Sequence, residues 1–102
     1  MEYTFDHQAD HYALALSGNF TFSDNAAFRN ILGSLRNSRA KTLTLDLQQL
    51  EFIDSAALGM LLLLHDEAGK LGLEVGLRGA SGQIKKMLQL SNFDEIFTIH
   101  YL

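Results

Sequence analysis

The hydrophobic and polar positions of the chain follow two periods in turn. From Tyr3 to Leu16 apolar residues alternate with polar or small ones, with an interruption at Gln8-Ala9-Asp10. A period of two is typical of half-buried strands, so this segment predicts two strands that form a hairpin. The same period returns from Thr42 to Gln48 and predicts a third strand.

A helical period separates these strands. After Gly18, Ser23 or Asp24 can cap a helix, because their side chains accept hydrogen bonds from free backbone amides. The apolar residues that follow are spaced by three and four positions, as on one helix face. They are Phe28, Ile31, Leu32 and Leu35. This segment predicts the first helix.

The second half of the chain continues the alternation. Asp54 is positioned to cap a second helix that ends near Gly69 to Gly72. The pattern then predicts a short strand over Leu73 to Leu77, a third helix capped by Ser81, and a last strand or turn from Ile96 to Ile99. Strands that alternate with helices imply an α/β fold, with helices packed on a largely parallel or mixed sheet.

The second helix is apolar on more than one face. At about 100° per residue, one stripe predicted to face the core contains Ala57, Leu61, Leu64, Ala68 and Leu71, flanked by Met60. The opposite face carries Ser55, Gly59, Leu62 and Asp66, with Leu63 and Lys70 beside them. We call Ser55, Gly59, Leu62 and Leu63 the docking strip, because an exposed apolar patch suits a protein partner. Isolated exposed leucines are also ordinary on soluble proteins, and a neighbouring helix could equally cover them.

The start of this helix suits a switchable negative charge. Ser55 takes the first helical position, where unpaired amides and the helix dipole favour an anion. A phosphate there would bring roughly −1.5 to −2 charges to the rim of the docking strip, so binding would fail while the fold survived. The structural alternative is that Asp54 and Ser55 serve only as a cap and a first-turn residue.

Composition narrows the class of protein. The 102 residues are 47% hydrophobic, which is typical of one globular domain, expected over residues 1–102. A net charge of −4 argues against a nucleic-acid partner, and the absence of cysteine excludes disulfides and thiolate sites. The apolar run Met60 to Leu64 is too short to insert into a membrane, and no signal peptide is recognisable. A cytoplasmic location is expected.

The segment from Leu43 to Leu64 carries a longer motif: a strand ending in Asp-Leu, an apolar pair before Asp-Ser, and a helix opening with small residues and Leu-Gly. These pieces are Asp46-Leu47, Phe52-Ile53, Asp54-Ser55, Ala56-Ala57 and Leu58-Gly59. The segment resembles the signature of the STAS domain family, specifically its single-domain bacterial anti-sigma factor antagonists. Over nearly the whole chain, the resemblance implies a mixed sheet of four to five strands flanked by three or more helices.

The resemblance also implies partner switching without enzymatic activity. An unphosphorylated antagonist of this family binds an anti-sigma factor or related serine kinase, is phosphorylated at the start of this helix, and is restored by a serine phosphatase. The expected phosphorylation site is Ser55. The expected partner contacts are Asp54, Ser55, Ala56, Gly59, Leu62 and Leu63.

One position departs from the family pattern. Many antagonists carry the phosphorylated hydroxyl directly after Asp-Ser, followed by glycine, whereas this chain has Ala56 and Ala57. Ser55 is the only hydroxyl between Phe52 and Leu64, so either Ser55 is the acceptor or the domain docks without a switch. The second alternative resembles STAS domains that are small cytoplasmic subunits of lipid-transport ABC complexes, or parts of anion transporters or stress-sensing assemblies.

Two other classes have weaker support. A hydrolase would need Asp54 and Ser55 to meet a histidine, but no nucleophile-elbow glycines surround the serine. The candidate histidines are His7, His11, His65 and His100. Nucleotide binding would use Gly76, Gly79 and Gly82, whose spacing is not that of a P-loop. No metal-ligand spacing is evident, and no cofactor is expected.

Overall fold

Five strands and three α-helices build the structure, a computed structural model that describes residues 1–102. The strands are β1 (Glu2–Gln8), β2 (His11–Phe20), β3 (Thr42–Ile53), β4 (Glu74–Arg78) and β5 (Thr98–His100). The α-helices are α1 (Asn25–Arg36), α2 (Ser55–Lys70) and α3 (Gly82–Leu90). Two 3-10 helices, Phe22–Asp24 and Phe93–Glu95, follow β2 and α3.

The five strands form one mixed sheet in the order β1-β2-β3-β4-β5. β1 runs antiparallel to β2, and the turn between them places Ala9 at a φ of 52°. The strands from β2 to β5 are parallel, and an α-helix connects each of them to the next. The predicted α/β fold with a mixed sheet of four to five strands and three or more helices is confirmed.

The apolar core lies on one face of the sheet. It is a single cluster of 25 buried residues that joins the strands to the helices. Leu14 and Leu45 point into it and are fully buried, whereas Ala15 and Thr44, on the other face, remain exposed or half-buried. The helices therefore cover one face and leave the other open. No helix has both the length and the apolar character that crossing a membrane demands.

The core-facing stripe of α2 is confirmed except at its last position. Ala57, Leu61, Leu64 and Ala68 are fully buried, and Met60 is buried beside them. The prediction for Leu71 is wrong, because 41% of its surface is exposed. The helix ends at Lys70, and Gly72, with a φ of 70°, turns the chain so that Leu73 N–H donates to Ala68 O at 2.8 Å. This Schellman turn buries Leu73 instead of Leu71.

β3 is longer than the alternation predicts. It continues to Ile53, whereas the period of two ends at Gln48. Its pairing with β2 shifts register twice between positions 15 and 19 of β2. Such irregularities break the alternation of side chains between the two faces, so the sequence pattern ends before the strand does. As a result, only Asp54 separates the end of β3 from the start of α2.

Two predicted helix caps differ in their bonding. Asp24 stands at the N-cap of α1 but makes no capping bond to that helix. Its carboxylate accepts instead from Thr21 N–H at 2.9 Å and from the Met1 amine at 3.0 Å. Ser81 stands at the N-cap of α3, also without a side-chain capping bond. Asp24 therefore ties the start of β1 to the turn after β2.

The loop after β4 approaches β3 closely at Gly79. A Cβ at this position would lie 3.0 Å from Gln48 Cβ, 3.2 Å from Gln48 N and 3.2 Å from Asp46 Oδ1. The φ of Gly79 is also +80°, a conformation that side chains rarely adopt. Both the backbone angle and the available space therefore require glycine here.

We expect Gly79→Ala to destabilise the protein more than Gly18→Ala. Gly18 has the same φ of +80° with no atom within 4 Å of an added Cβ, so its substitution carries only backbone strain. That strain is about 1–2 kcal/mol, and steric overlap at Gly79 adds roughly 1–3 kcal/mol. Urea denaturation measures the free energy of unfolding of both variants. Equal losses would contradict the close approach of Gly79 to β3.

Candidate functional site

Asp54 joins two parts of the chain at the start of α2. Its Oδ1 accepts a hydrogen bond from Ala57 N–H at 2.8 Å, so Asp54 caps α2 as predicted. Its Oδ2 accepts from Phe22 N–H at 3.1 Å, and its own N–H donates to Phe20 O at 3.2 Å. One carboxylate therefore fixes the helix start relative to the turn that follows β2.

Gln83 of α3 holds the end of β3 from the other side. Its Nε2 donates to Ile53 O at 2.8 Å, and its Oε1 accepts from Ile53 N–H at 3.0 Å. β4 pairs with β3 only as far as Asp46 and Arg78, so no strand reaches Ile53 along this edge. The Gln83 amide takes the place of a neighbouring strand and fixes the backbone immediately before Asp54.

Ser55 is the first residue of α2 and is exposed. The helix start places unpaired amides and the positive end of the helix dipole near its hydroxyl. Ala56 beside it is half-buried, and Ala57 is fully buried in the core. The Ser55 position is therefore open to solvent and lies at the positive end of the helix dipole, next to the Asp54 carboxylate that caps the helix.

All four residues of the docking strip lie on the exposed side of α2. Ser55 and Gly59 are exposed, and Leu62 and Leu63 expose 42% and 40% of their surfaces. Leu63 also borders a groove between α1 and α2. The other residues that line this groove are Arg29, Leu32, Arg36 and Glu67. The first helix therefore covers Leu63 only in part, and the strip remains a continuous accessible surface.

Phe22 borders the start of α2 and was not predicted as part of the site. Its backbone is bonded to Asp54, and 69% of its surface is exposed. Phe52, which contributes to the sequence motif only as half of an apolar pair, exposes 43% while its neighbour Ile53 is fully buried. Phe22 lies in a 3-10 helix without periodicity, so its only signal is an aromatic residue within a polar run.

The alternative sites do not assemble around Ser55. Both oxygens of Asp54 accept from backbone amides, and neither is bonded to a histidine. The histidines lie on four different elements: His7 on β1, His11 on β2, His65 on α2 and His100 on β5. Gly79 lies in the loop after β4 with a φ of 80°, and Gly82 is the first residue of α3 with a φ of 55°. No three His, Asp or Glu side chains are grouped so that they could hold a metal ion.

Comparison with known proteins places the chain in a family. The family model described as "Mlab, STAS domain" matches residues 3–99. A STAS-domain containing protein of Pseudomonas aeruginosa strain UCBPP-PA14 is 34% identical over 86 residues, which is 84% of this chain and 84% of that protein. The chain belongs to the STAS domain family, and the resemblance inferred from the Leu43 to Leu64 segment is confirmed.

Solved structures share the fold at low sequence identity. Unphosphorylated SpoIIAA, an anti-sigma factor antagonist, matches with a TM-score of 0.82 and 16% identity, covering 96% of this chain and 87% of that one. The phosphorylated form of Bacillus SpoIIAA matches with a TM-score of 0.73 and 16% identity, covering 96% and 90%. A sulfate transporter family protein from Wolinella succinogenes matches with a TM-score of 0.78 and 17% identity, covering 93% and 80%.

We expect Gln83→Ala to loosen the β3–α2 junction without unfolding the sheet. The variant leaves the N–H and C=O of Ile53 without their partner, at a cost of about 1–3 kcal/mol. Amide hydrogen exchange at Ile53, followed by NMR, then becomes faster than in the wild type. Gln89→Ala, an exposed glutamine on the same helix, serves as the matched control. Unchanged exchange at Ile53 in folded Gln83→Ala would contradict the positioning role.

Proposed function

We propose that the protein is a non-enzymatic, cytoplasmic anti-sigma factor antagonist that acts by partner switching. In its unphosphorylated form it binds an anti-sigma factor or a related serine kinase through the docking strip, with Asp54 and Ala56 at the edge of the contact. The observation that carries the proposal is the exposed Ser55 at the start of α2, on the same side of the helix as exposed Leu62 and Leu63, which lie about two turns further along. The similar protein SpoIIAA is described in both unphosphorylated and phosphorylated forms, which supports this mode of regulation.

Phosphorylation of Ser55 would abolish docking by electrostatics and hydration. The helix start tolerates the added charge of roughly −1.5 to −2, so the fold is retained. The same charge carries bound water to the rim of the apolar strip, where a close contact would have to remove it. Removal of the phosphate by a serine phosphatase restores the strip and binding.

Ser55 is the residue that can accept the phosphate in this segment. Ala56 replaces the usual acceptor with a methyl group, and Ser55 is the only hydroxyl from Phe52 to Leu64. Its exposure and its place as the first residue of α2 make the hydroxyl accessible to a kinase.

Ala56 also favours a second candidate function. Without a hydroxyl at that position, the strip could bind a larger partner permanently, as a cytoplasmic STAS subunit of a lipid-transport ABC complex would. In this case the contact surface is the same, and the charge state of Ser55 has no regulatory role. The two candidates therefore differ in their response to a negative charge at Ser55.

We expect Ser55→Ala to retain partner binding and Ser55→Glu to weaken the binding affinity roughly tenfold or more. A tenfold loss of affinity corresponds to about 1.4 kcal/mol, which desolvation of the added carboxylate is enough to supply. The two variants serve as baits in a quantitative pull-down from the native cell's lysate. Ser34→Glu adds the same charge on an exposed position of α1 and controls for charge alone. Capture of a serine kinase or anti-sigma protein by Ser55→Ala alone supports switching. Capture of transporter subunits by both baits would favour the second candidate.

We expect Leu62→Ala and Leu63→Ala to weaken binding of the captured partner, because each removes apolar contact area from the strip. Leu63→Ala also lowers the free energy of unfolding slightly more than Leu62→Ala, since Leu63 borders the groove against α1. Leu90→Ala is the control, because Leu90 is 73% exposed at the end of α3. Calorimetric titration with the purified partner measures the affinities. An equal loss with Leu90→Ala would contradict the strip as the contact surface.

A further inference from the structure

The outer edge of β1 is a second surface, on which backbone N–H and C=O groups have no partner strand. β1 lies at one end of the sheet and pairs only with β2, over seven consecutive residues without a register shift. No backbone group from Glu2 to Gln8 bonds to a turn, loop or other segment. Its outward-facing N–H and C=O groups are therefore open to another strand. The opposite edge, β5, has only three residues.

β1 lacks most of the features that protect an edge strand. Proline, charged side chains (above all lysine), a bulge or a very short strand normally prevents edge-to-edge pairing. β1 carries two acidic residues, Glu2 and Asp6, but no proline, lysine or bulge, and its side chains are exposed except for half-buried Phe5. We propose that β1 pairs antiparallel with β1 of a second copy of this chain, about a two-fold axis at Phe5. This interface lies apart from the docking strip and does not depend on the proposed function.

The charges of β1 select one register for this pairing. In an antiparallel pair, side chains directly opposite each other point to the same face of the sheet. When a two-fold axis perpendicular to the sheet relates the two strands, the residue at the axis lies opposite the same residue of the other copy. Centring on Thr4 places Glu2 opposite Asp6, and centring on Asp6 places two aspartates face to face. Centring on Phe5 opposes Glu2 to Gln8 and Thr4 to Asp6, without like charges, and it alone pairs all seven residues.

The helix-side face of β1 supports the same register. Tyr3, Phe5, Tyr12 and His7 form a row of edge-to-face aromatic contacts with ring centroids 6.2, 5.9 and 4.4 Å apart. Pairing about Phe5 continues this row, because Tyr3 of the second copy lies opposite His7. A cleft of about 140 Å³, lined by Phe5, His7, Tyr12 and Ser34, opens beside that position. Tyr3, now 43% exposed, would be covered there.

Sedimentation equilibrium of the full chain from about 1 μM to about 1 mM tests the proposal. We expect reversible dimers, weakened by Thr4→Asp and strengthened by Thr4→Lys, because position 4 faces Asp6 of the other copy twice per dimer, where a lysine is paired with a carboxylate instead of standing uncompensated at the edge. Each change shifts the dimer dissociation constant roughly 2- to 30-fold. Thr4 is exposed in the single chain, so both variants are expected to fold, and thermal unfolding at low concentration verifies this.

Disulfide trapping checks the register, since the chain has no cysteine of its own. A mixture of the single variants Thr4→Cys and Asp6→Cys should form disulfide-linked dimers between positions 4 and 6 of the two copies. A mixture of Glu2→Cys and Asp6→Cys should not. A wild type that stays monomeric up to the highest concentration overturns the proposal. Thr4 variants that shift association in the same direction, or trapping only by the second cysteine pair, also overturn it.

Discussion

The carboxylate of Asp54 is the interaction on which the geometry of the site depends. One of its oxygens satisfies an amide of α2, and the other satisfies the amide of Phe22. An alanine there would leave both donors without this acceptor, and loss of an N-cap alone typically costs about 0.5–2 kcal/mol. The position of Ser55 is therefore set by a bond between α2 and a turn from a different part of the chain.

This arrangement separates the proposed switch from the stability of the fold. The core-facing side of α2 is fully buried, while Ser55 and Gly59 take no part in the core. Charge added at the first helical position meets free amides and water rather than buried apolar groups. A regulated surface can thus sit on a helix that the fold needs, because opposite faces of that helix serve the two purposes.

Periodicity predicted most of the fold but failed where the backbone departs from a regular repeat. The alternation of Leu43, Leu45 and Leu47 identified β3, yet the register shifts with β2 hid its last residues. The angular analysis of α2 was wrong at Leu71, because a glycine turn ends the helical repeat one residue earlier. It also assigned no role to Leu58, which is buried away from the main stripe.

The candidate site was predictable only where a local rule applies. The cap at Asp54 and the exposure of the docking strip follow from position along one helix. The contacts of Gln83 with Ile53 and of Phe22 with Asp54 join residues about 30 positions apart, at separations of 30 and 32. Such pairs depend on how the chain returns across the sheet, and no spacing in the sequence encodes them.

The unequal lengths of β3 and β4 bear on how far a change at Ser55 can spread. Because β4 ends opposite Asp46, the last residues of β3 have a strand on one side only. The start of α2 is held there by β2, by the Asp54 carboxylate and by a single glutamine side chain. The hydrogen-bond ladder that joins β3, β4 and β5 ends before this segment. The bonds that position the site are therefore separate from those that hold the far half of the sheet together.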